Sequence, residues 1–178
     1  MRISKDYRRL NLAANILVVV TVTTLAGLFT YRTFFQPTLA SLEAGLLKAG
    51  SDFKGLPEVN FSKSPNTILL VADIKCQFFA QAFPFYKKLI AESKGNSDVR
   101  VLFISENENE QVERYLREQD VNVEFIPNVD LVKLKVDATP TIIWVDADRK
   151  IVGSYQGLFQ EKQESAFFEV YHKTLSGK

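Results

Sequence analysis

Ile68-Leu69-Leu70-Val71 is a run of four branched aliphatics, too short for a helix, and it predicts a strand over Thr67–Ala72 buried on both faces. The run breaks at Asp73, and an amphipathic pattern begins at Gln77 and continues to about Lys94. A buried strand feeding directly into a helix commits this part of the chain to a layered α/β arrangement. The junction holds Cys76, the only cysteine of 178 residues. A thiol at a helix start faces unsatisfied backbone N–H groups and the positive end of the helix dipole, both of which favour thiolate. Lys75 acts in the same direction and Asp73 against it.

The alternation continues downstream. Arg100–Ser105 is a second apolar run of strand length, and Asn107–Gln119 is polar apart from Val112, Tyr115 and Leu116, which share one helical face. Val121–Ile126 alternates like a strand and stops at Pro127, and Asp130–Val136 reads as a turn or short helix. Thr141–Val145 and Lys150–Tyr155 form a hairpin, and Glu161–Leu175 a closing helix. Parallel units followed by a hairpin predict a mixed central sheet with helices on both faces.

Two stretches carry a resemblance. Val71-Ala72-Asp73-Ile74-Lys75-Cys76-Gln77-Phe78-Phe79, with Pro84 beyond it, resembles the active-site loop of the thioredoxin-like superfamily, especially its membrane-tethered extracytoplasmic redoxins. There a strand leads to a Cys-x-x-Cys loop at the start of a helix that a proline kinks; Cys76 matches the nucleophilic cysteine and Pro84 the kink. Ala138-Thr139-Pro140-Thr141 before Ile142-Ile143-Trp144-Val145-Asp146 resembles the family's cis-proline loop entering a central strand, and Asp148-Arg149-Lys150 its hairpin turn. The likeness runs from about Leu56 to the C-terminus.

The resemblance implies a thioredoxin-like fold and a site in which Cys76 is the catalytic nucleophile, tuned by Lys75 and Asp73. Gln77, Phe78, Thr139 and Pro140 would then meet an extended substrate, and either Phe78 or Phe79 is expected in the core. It implies no cofactor and no metal, and partners that are protein thiols or disulfides. Three positions depart from the family pattern. Phe79 stands where the second cysteine belongs, Leu70 where a buried acid is common, and Lys75 where an aromatic precedes the cysteine. Without a second thiol, a mixed disulfide formed at Cys76 can be resolved only by an external thiol. The expected activity is therefore monothiol exchange, with a non-catalytic binding module as the rival reading. A single-cysteine peroxidase ranks third, because Asp73 and Leu69 replace the Thr or Ser and the Pro of that chemistry.

Leu10–Tyr31 is a 22-residue segment without charge, close to the ~20 apolar residues that cross a hydrocarbon core. Four basic residues, Arg2, Lys5, Arg8 and Arg9, precede it, whereas Arg32 and Lys48 follow. That bias predicts an uncleaved bacterial inner-membrane anchor with a cytoplasmic N-terminus and a periplasmic domain. The competing reading is a signal peptide cut near Thr24-Leu25-Ala26. The expected organisation is residues 1–34 as N-terminus and anchor, 35–55 as a connector with a short helix near Pro37–Leu47, and 56–178 as the folded domain. Taking the five basic residues and Asp6 of residues 1–35 from totals of 22 and 21 leaves 17 basic against 20 acidic residues, net −3. A mildly acidic domain without a basic stripe argues against nucleic-acid binding.

The remaining signals are weaker. His172, the one histidine, falls on the last helix and reads as solvated. Asp146 and Asp148 flank a turn, where Asp is favoured for backbone bonding rather than for calcium. Asn60-Phe61-Ser62 matches a glycosylation triplet that recurs by chance, and Glu106–Glu110 reads as an acidic helix start.

Overall fold

The computed structural model describes residues 14–28 and 47–177. The chain divides into two compact units, Met1–Pro37 and Thr38–Lys178. In the first, residues 14–28 form helix α1. Fifteen residues span about 22 Å at 1.5 Å each, against the ~30 Å of a bilayer core. Among the described residues no helix is long and apolar enough to cross a membrane. The expected span Leu10–Tyr31 is thus described only over its middle. Its ends, the basic flank and the predicted connector helix lie outside the described residues.

The second unit is built on strand β1 (Asn66–Ala72), helix α2 (Gln77–Ser93), β2 (Val99–Ser105), α3 (Asn109–Glu118), β3 (Glu124–Ile126), β4 (Thr141–Asp146), β5 (Ile151–Gln156) and α4 (Glu161–Ser176). The sheet order is β3-β2-β1-β4-β5. β1 pairs in parallel with β2 and β2 with β3, while β4 lies antiparallel to β1 and β5. The mixed sheet follows from the connections: helices carry the chain between parallel strands, and a tight turn makes the β4–β5 hairpin.

All seven residues of β1 are buried, as its unbroken aliphatic run requires of a central strand. Ile68, Leu70 and Ala72 point into one core cluster with Phe79, Phe83, Tyr86, Leu89, Phe167 and Tyr171. Leu69 and Val71 point into the other, with Phe53, Leu56, Phe61, Leu134 and Val136. Val112 and Leu116 of α3 join the first cluster, so α2, α3 and α4 all bury side chains there. The expectation of helices on both faces is corrected here. Two successive crossovers moving the same way across a sheet, from β1 to β2 to β3, leave both helices on the same side when both are right-handed. The opposite face is covered by the segment from Leu47 to the 3₁₀ turn Phe61–Lys63 and by the turns around Leu131–Val136.

Leu47 and Phe53, in the stretch read as connector, are buried in that second cluster. Their segment also pairs with the start of β5: Gly50 N–H donates to Ile151 O at 2.7 Å, and Ile151 N–H to Ser51 O at 2.9 Å. A sheet edge that would otherwise offer free backbone groups is thereby covered. β3 is shorter than the Val121–Ile126 alternation suggests, because only Glu124–Ile126 reaches β2.

Candidate functional site

Asp73 ends β1 by folding the chain back on itself. Its carboxylate accepts from Lys75 N–H at 2.9 Å and its carbonyl from Cys76 N–H at 3.0 Å. This local turn sets Cys76 at the N-cap of α2 with extended backbone (φ −75°, ψ 124°). The Cys76 carbonyl accepts from Ala80 N–H at 3.2 Å, while its side chain makes no capping bond and is left for other contacts. The thiol is half-buried, and its Sγ lies 3.6 Å from the Thr139 carbonyl oxygen, to which the S–H donates. Residues 63 apart in sequence are thus brought together, and the Thr139–Pro140 peptide between that carbonyl and β4 is cis.

The proline loop is held from both sides. Thr141 Oγ1 donates to Ala138 O at 2.7 Å, and Gly157 N–H to Pro140 O at 2.8 Å. Gly157 has φ +96°, a conformation that glycine adopts at little cost because it has no Cβ. Beside this loop runs an apolar groove of about 330 Å³ lined by Phe78, Ala138, Thr139, Pro140, Gln156, Gly157 and Leu158. Phe78, which lines this groove, is 49% exposed.

Of the residues singled out from sequence, Cys76, Thr139 and Pro140 meet, and Phe78 lines the adjoining groove. Gln77 is exposed on the first turn of α2 but does not line the groove. Lys75 is exposed and Asp73 half-buried, its carboxylate engaged by the loop backbone. Phe79 is fully buried, with its ring 5.4–5.8 Å from those of Phe83, Tyr86, Phe103 and Tyr115. His172 pairs with Glu92 at 3.0 Å on the outer side of α4. Among the described residues no cluster of His, Cys, Asp or Glu could hold a metal ion.

One positioning residue carries no signal in the sequence. Buried Asn107 accepts at Oδ1 from Ile74 N–H at 2.9 Å and from Ser105 Oγ at 2.8 Å, and its carbonyl accepts from Asn128 N–H at 3.0 Å. It ties the loop ahead of Cys76 to the ends of β2 and β3. Gln156, Gly157 and Leu158 are the other unanticipated members; a glycine directly after a strand end is the only hint they offer.

A mixed sheet with a cysteine at the head of the helix after β1, opposite a cis-proline entering β4, defines a thioredoxin-like fold. Solved structures bear this out. A hypothetical protein of Sinorhizobium meliloti is similar with a TM-score of 0.62 at 15% identity, over 77% of this chain and 89% of its own. The thioredoxin domain of a thiol-disulfide oxidoreductase from Bacteroides vulgatus matches with a TM-score of 0.56 at 15% identity, over 70% and 98%. A thiol-disulfide isomerase from Corynebacterium glutamicum matches at 0.52 and 14%, over 74% and 92%. No protein-family model and no curated protein matches the chain.

Proposed function

We propose that this chain engages exported protein thiols or disulfides through Cys76, as a monothiol exchange protein held at a bacterial inner membrane by its N-terminal segment. The observation that carries the reading is the half-exposed sulfur 3.6 Å from the carbonyl before cis-Pro140, with an apolar groove alongside. In the reaction, the Cys76 thiol loses its proton and the thiolate attacks one sulfur of a partner disulfide. The Cys76–partner S–S bond forms, the partner's S–S bond breaks, and its other sulfur leaves as thiolate and takes up a proton. Phe79 offers no second thiol, so release needs an external thiol. That thiol, as thiolate, attacks the partner's sulfur in the mixed disulfide: a new disulfide forms between the two, the Cys76–partner bond breaks, and Cys76 leaves as thiolate and takes up a proton. Phe78 and the groove would hold apolar side chains of the partner, and the backbone around Thr139 its extended chain.

The test is a peptide containing one disulfide. The full chain is expected to take up one peptide arm per molecule and release one thiol, with multiple turnovers only when a small thiol is added. Cys76→Ser abolishes uptake. No adduct with the wild-type chain, while the peptide still binds and Cys76→Ser binds it equally, would favour the rival reading of a docking module without redox turnover. The buried aromatic at position 79 is the observation that supports that rival.

The anchor rests on α1. Its aliphatic side chains, among them Ile16, Leu17, Val18, Val19, Val20, Val22, Leu25 and Leu28, are each 56–68% exposed. Thr21, Thr23 and Thr24 return their hydroxyls to carbonyls four residues back, at 2.6–2.8 Å. A helix with apolar residues all round and its hydroxyls internally bonded suits a hydrocarbon solvent. Flotation of the full chain with uncharged lipid vesicles, resistant to alkaline wash, is the expected outcome; recovery in the soluble fraction would contradict it.

A further inference from the structure

β1 and β2 run in register to their ends, where Ala72 faces Ser105. Two residues further along each strand Ile74 would face Asn107, but β1 has by then turned away into the loop that carries Cys76. The Asn107 side chain closes that gap. Its Oδ1 accepts the Ile74 N–H at 2.9 Å and stands in for a backbone acceptor, adding one bond to the ladder past its last pair. On the opposite side, the Asn107 and Ser105 carbonyls accept from Asn128 N–H and Val129 N–H, at 3.0 and 2.9 Å, beyond the end of β3. One residue thus joins three segments at the end of the sheet where the thiol stands.

The bond matters to Cys76 because the turn ahead of it has few other ties. Of the N–H groups of Ile74, Lys75 and Cys76, the last two close on Asp73, at 2.9 Å to its carboxylate and 3.0 Å to its carbonyl. The Ile74 N–H leaves the turn, and it goes to Asn107. The proline half of the site is fixed separately, through Thr141 and Gly157. The Asn107 amide is itself held. It is only 7% exposed, and Ser105 Oγ donates to the same Oδ1 at 2.8 Å while accepting from Asn107 N–H at 3.2 Å. Burying an amide costs free energy unless its bonds are made, and a satisfied buried network allows one arrangement rather than many. A group so placed fixes a geometry rather than filling space.

We propose that Asn107 is a positioning residue for Cys76: it holds the turn of residues 73–76 so that the thiol stays against the proline loop, where a client's disulfide is met. This role rests on the reading of Cys76 as an exchange nucleophile and adds the residue on which its alignment depends. The hydrogen bonds of Asn107 reach the Ile74 peptide rather than the sulfur, so it acts through the turn. With the acceptor removed, the Ile74 N–H is left unpaired, the turn loosens, and the sulfur is no longer held 3.6 Å from the Thr139 carbonyl. Attack on a client's disulfide needs the thiolate aligned with the bond that breaks, and a displacement of about 1 Å can cost about 100-fold in rate. Alkylation by a small reagent needs the thiolate but not the proline loop.

The experiment compares, in the full chain, uptake of a one-disulfide peptide with iodoacetamide alkylation of Cys76. Both consume thiolate, so the ratio of their rates reports alignment and not ionisation. Asn107→Ala is expected to lower that ratio about tenfold or more. Asn107→Asp keeps an acceptor for the Ile74 N–H and returns the ratio to within about threefold of the wild-type value. Ser105→Ala, which frees the amide to turn, gives an intermediate value. Amide deuteration across residues 73–80 reads the turn without any thiol chemistry: faster in Asn107→Ala and Ser105→Ala, near wild type in Asn107→Asp. A wild-type ratio in Asn107→Ala, whatever its urea midpoint, would overturn this role and leave Asn107 a stabilising residue only; so would unchanged deuteration. If Asn107→Ala does not fold, Ser105→Ala decides, and a wild-type ratio there overturns the role equally. If the wild-type chain takes up no peptide while the deuteration pattern appears, the exchange reading falls and the placement of Cys76 by Asn107 stands.

Discussion

Cys76 and Phe79 are three residues apart and have opposite fates. The N-cap leaves Cys76 facing the proline loop, and one turn of helix carries position 79 inward, under α2 and against β2. A thiol there would leave four aromatic rings with a gap, so the missing second cysteine has become part of the packing. Phe79→Ala is expected to cost about 3–5 kcal/mol, the range for emptying a buried aromatic site. Phe79→Cys, which recreates the two-thiol spacing, should recover only a minor part, since a sulfur fills little of the ring's volume. Thermal or urea unfolding reads both; a loss below about 1 kcal/mol for the alanine variant would mean the ring is not packed as described. Legibility at this scale follows sequence distance. Cys76 was readable from its place between a strand and a helix, and Pro140 from the resemblance that its own neighbours, Ala138 to Thr141, carry. Asn107 was not, because it bonds Ile74 from 33 residues away, and nothing in its own surroundings records that partner.

The elements divide the same way. β1, β2 and β4 were legible as apolar runs, β5 as the second arm of a hairpin, and α2 and α3 from amphipathic spacing, since burial imposes those patterns directly. Which face each helix covers was not, for that depends on strand order. The path of the segment ahead of β1 was not legible, because a buried strap without regular secondary structure has no periodicity to detect. Arg149 shows what holds it. Its guanidinium donates to the carbonyls of Phe53, Gly55, Leu56 and Val59, with the charge 4.6 Å from the centre of the Phe61 ring. Arg149→Ala is predicted to lower stability by about 2–3 kcal/mol, because hydrogen bonds to a charged donor are lost together. Arg149→Lys should restore less than half, an ammonium being unable to span four acceptors that a planar fork reaches. A urea midpoint unchanged in Arg149→Ala would show that the strap is held by Phe53 and Phe61 alone.

Across the whole unit, the groups whose titration responds to folding set opposite limits. Hydrogen bonding and attraction to Lys150 hold the Asp52 carboxyl below its ordinary value, and Asp52 in turn raises Lys150. A depressed carboxylate adds stability that is present above the unfolded value near 4 and is lost as pH falls through the folded one. That pair is fully exposed, so its acid limb is shallow. The alkaline limb is the steeper one. Burial alone raises Tyr86, which lies at the centre of the first core cluster, and burial also raises Tyr115 and Tyr171, the latter with help from Glu92. A group raised on folding keeps its proton in the native state, so its contribution is intact below the unfolded value and declines as pH climbs from there. For tyrosine that decline starts near pH 10. Guanidinium midpoints measured against pH should therefore be level through neutrality and fall from about pH 10 upward, with tyrosinate absorbance appearing together with unfolding. Tyr86→Phe removes the group with the largest stake in that limb. Its midpoint should fall later and less steeply than that of the wild-type chain, whatever the variant does to stability at neutral pH. Tyrosinate absorbance rising well before the unfolding transition would place the Tyr86 hydroxyl in contact with solvent and remove the basis for this limb.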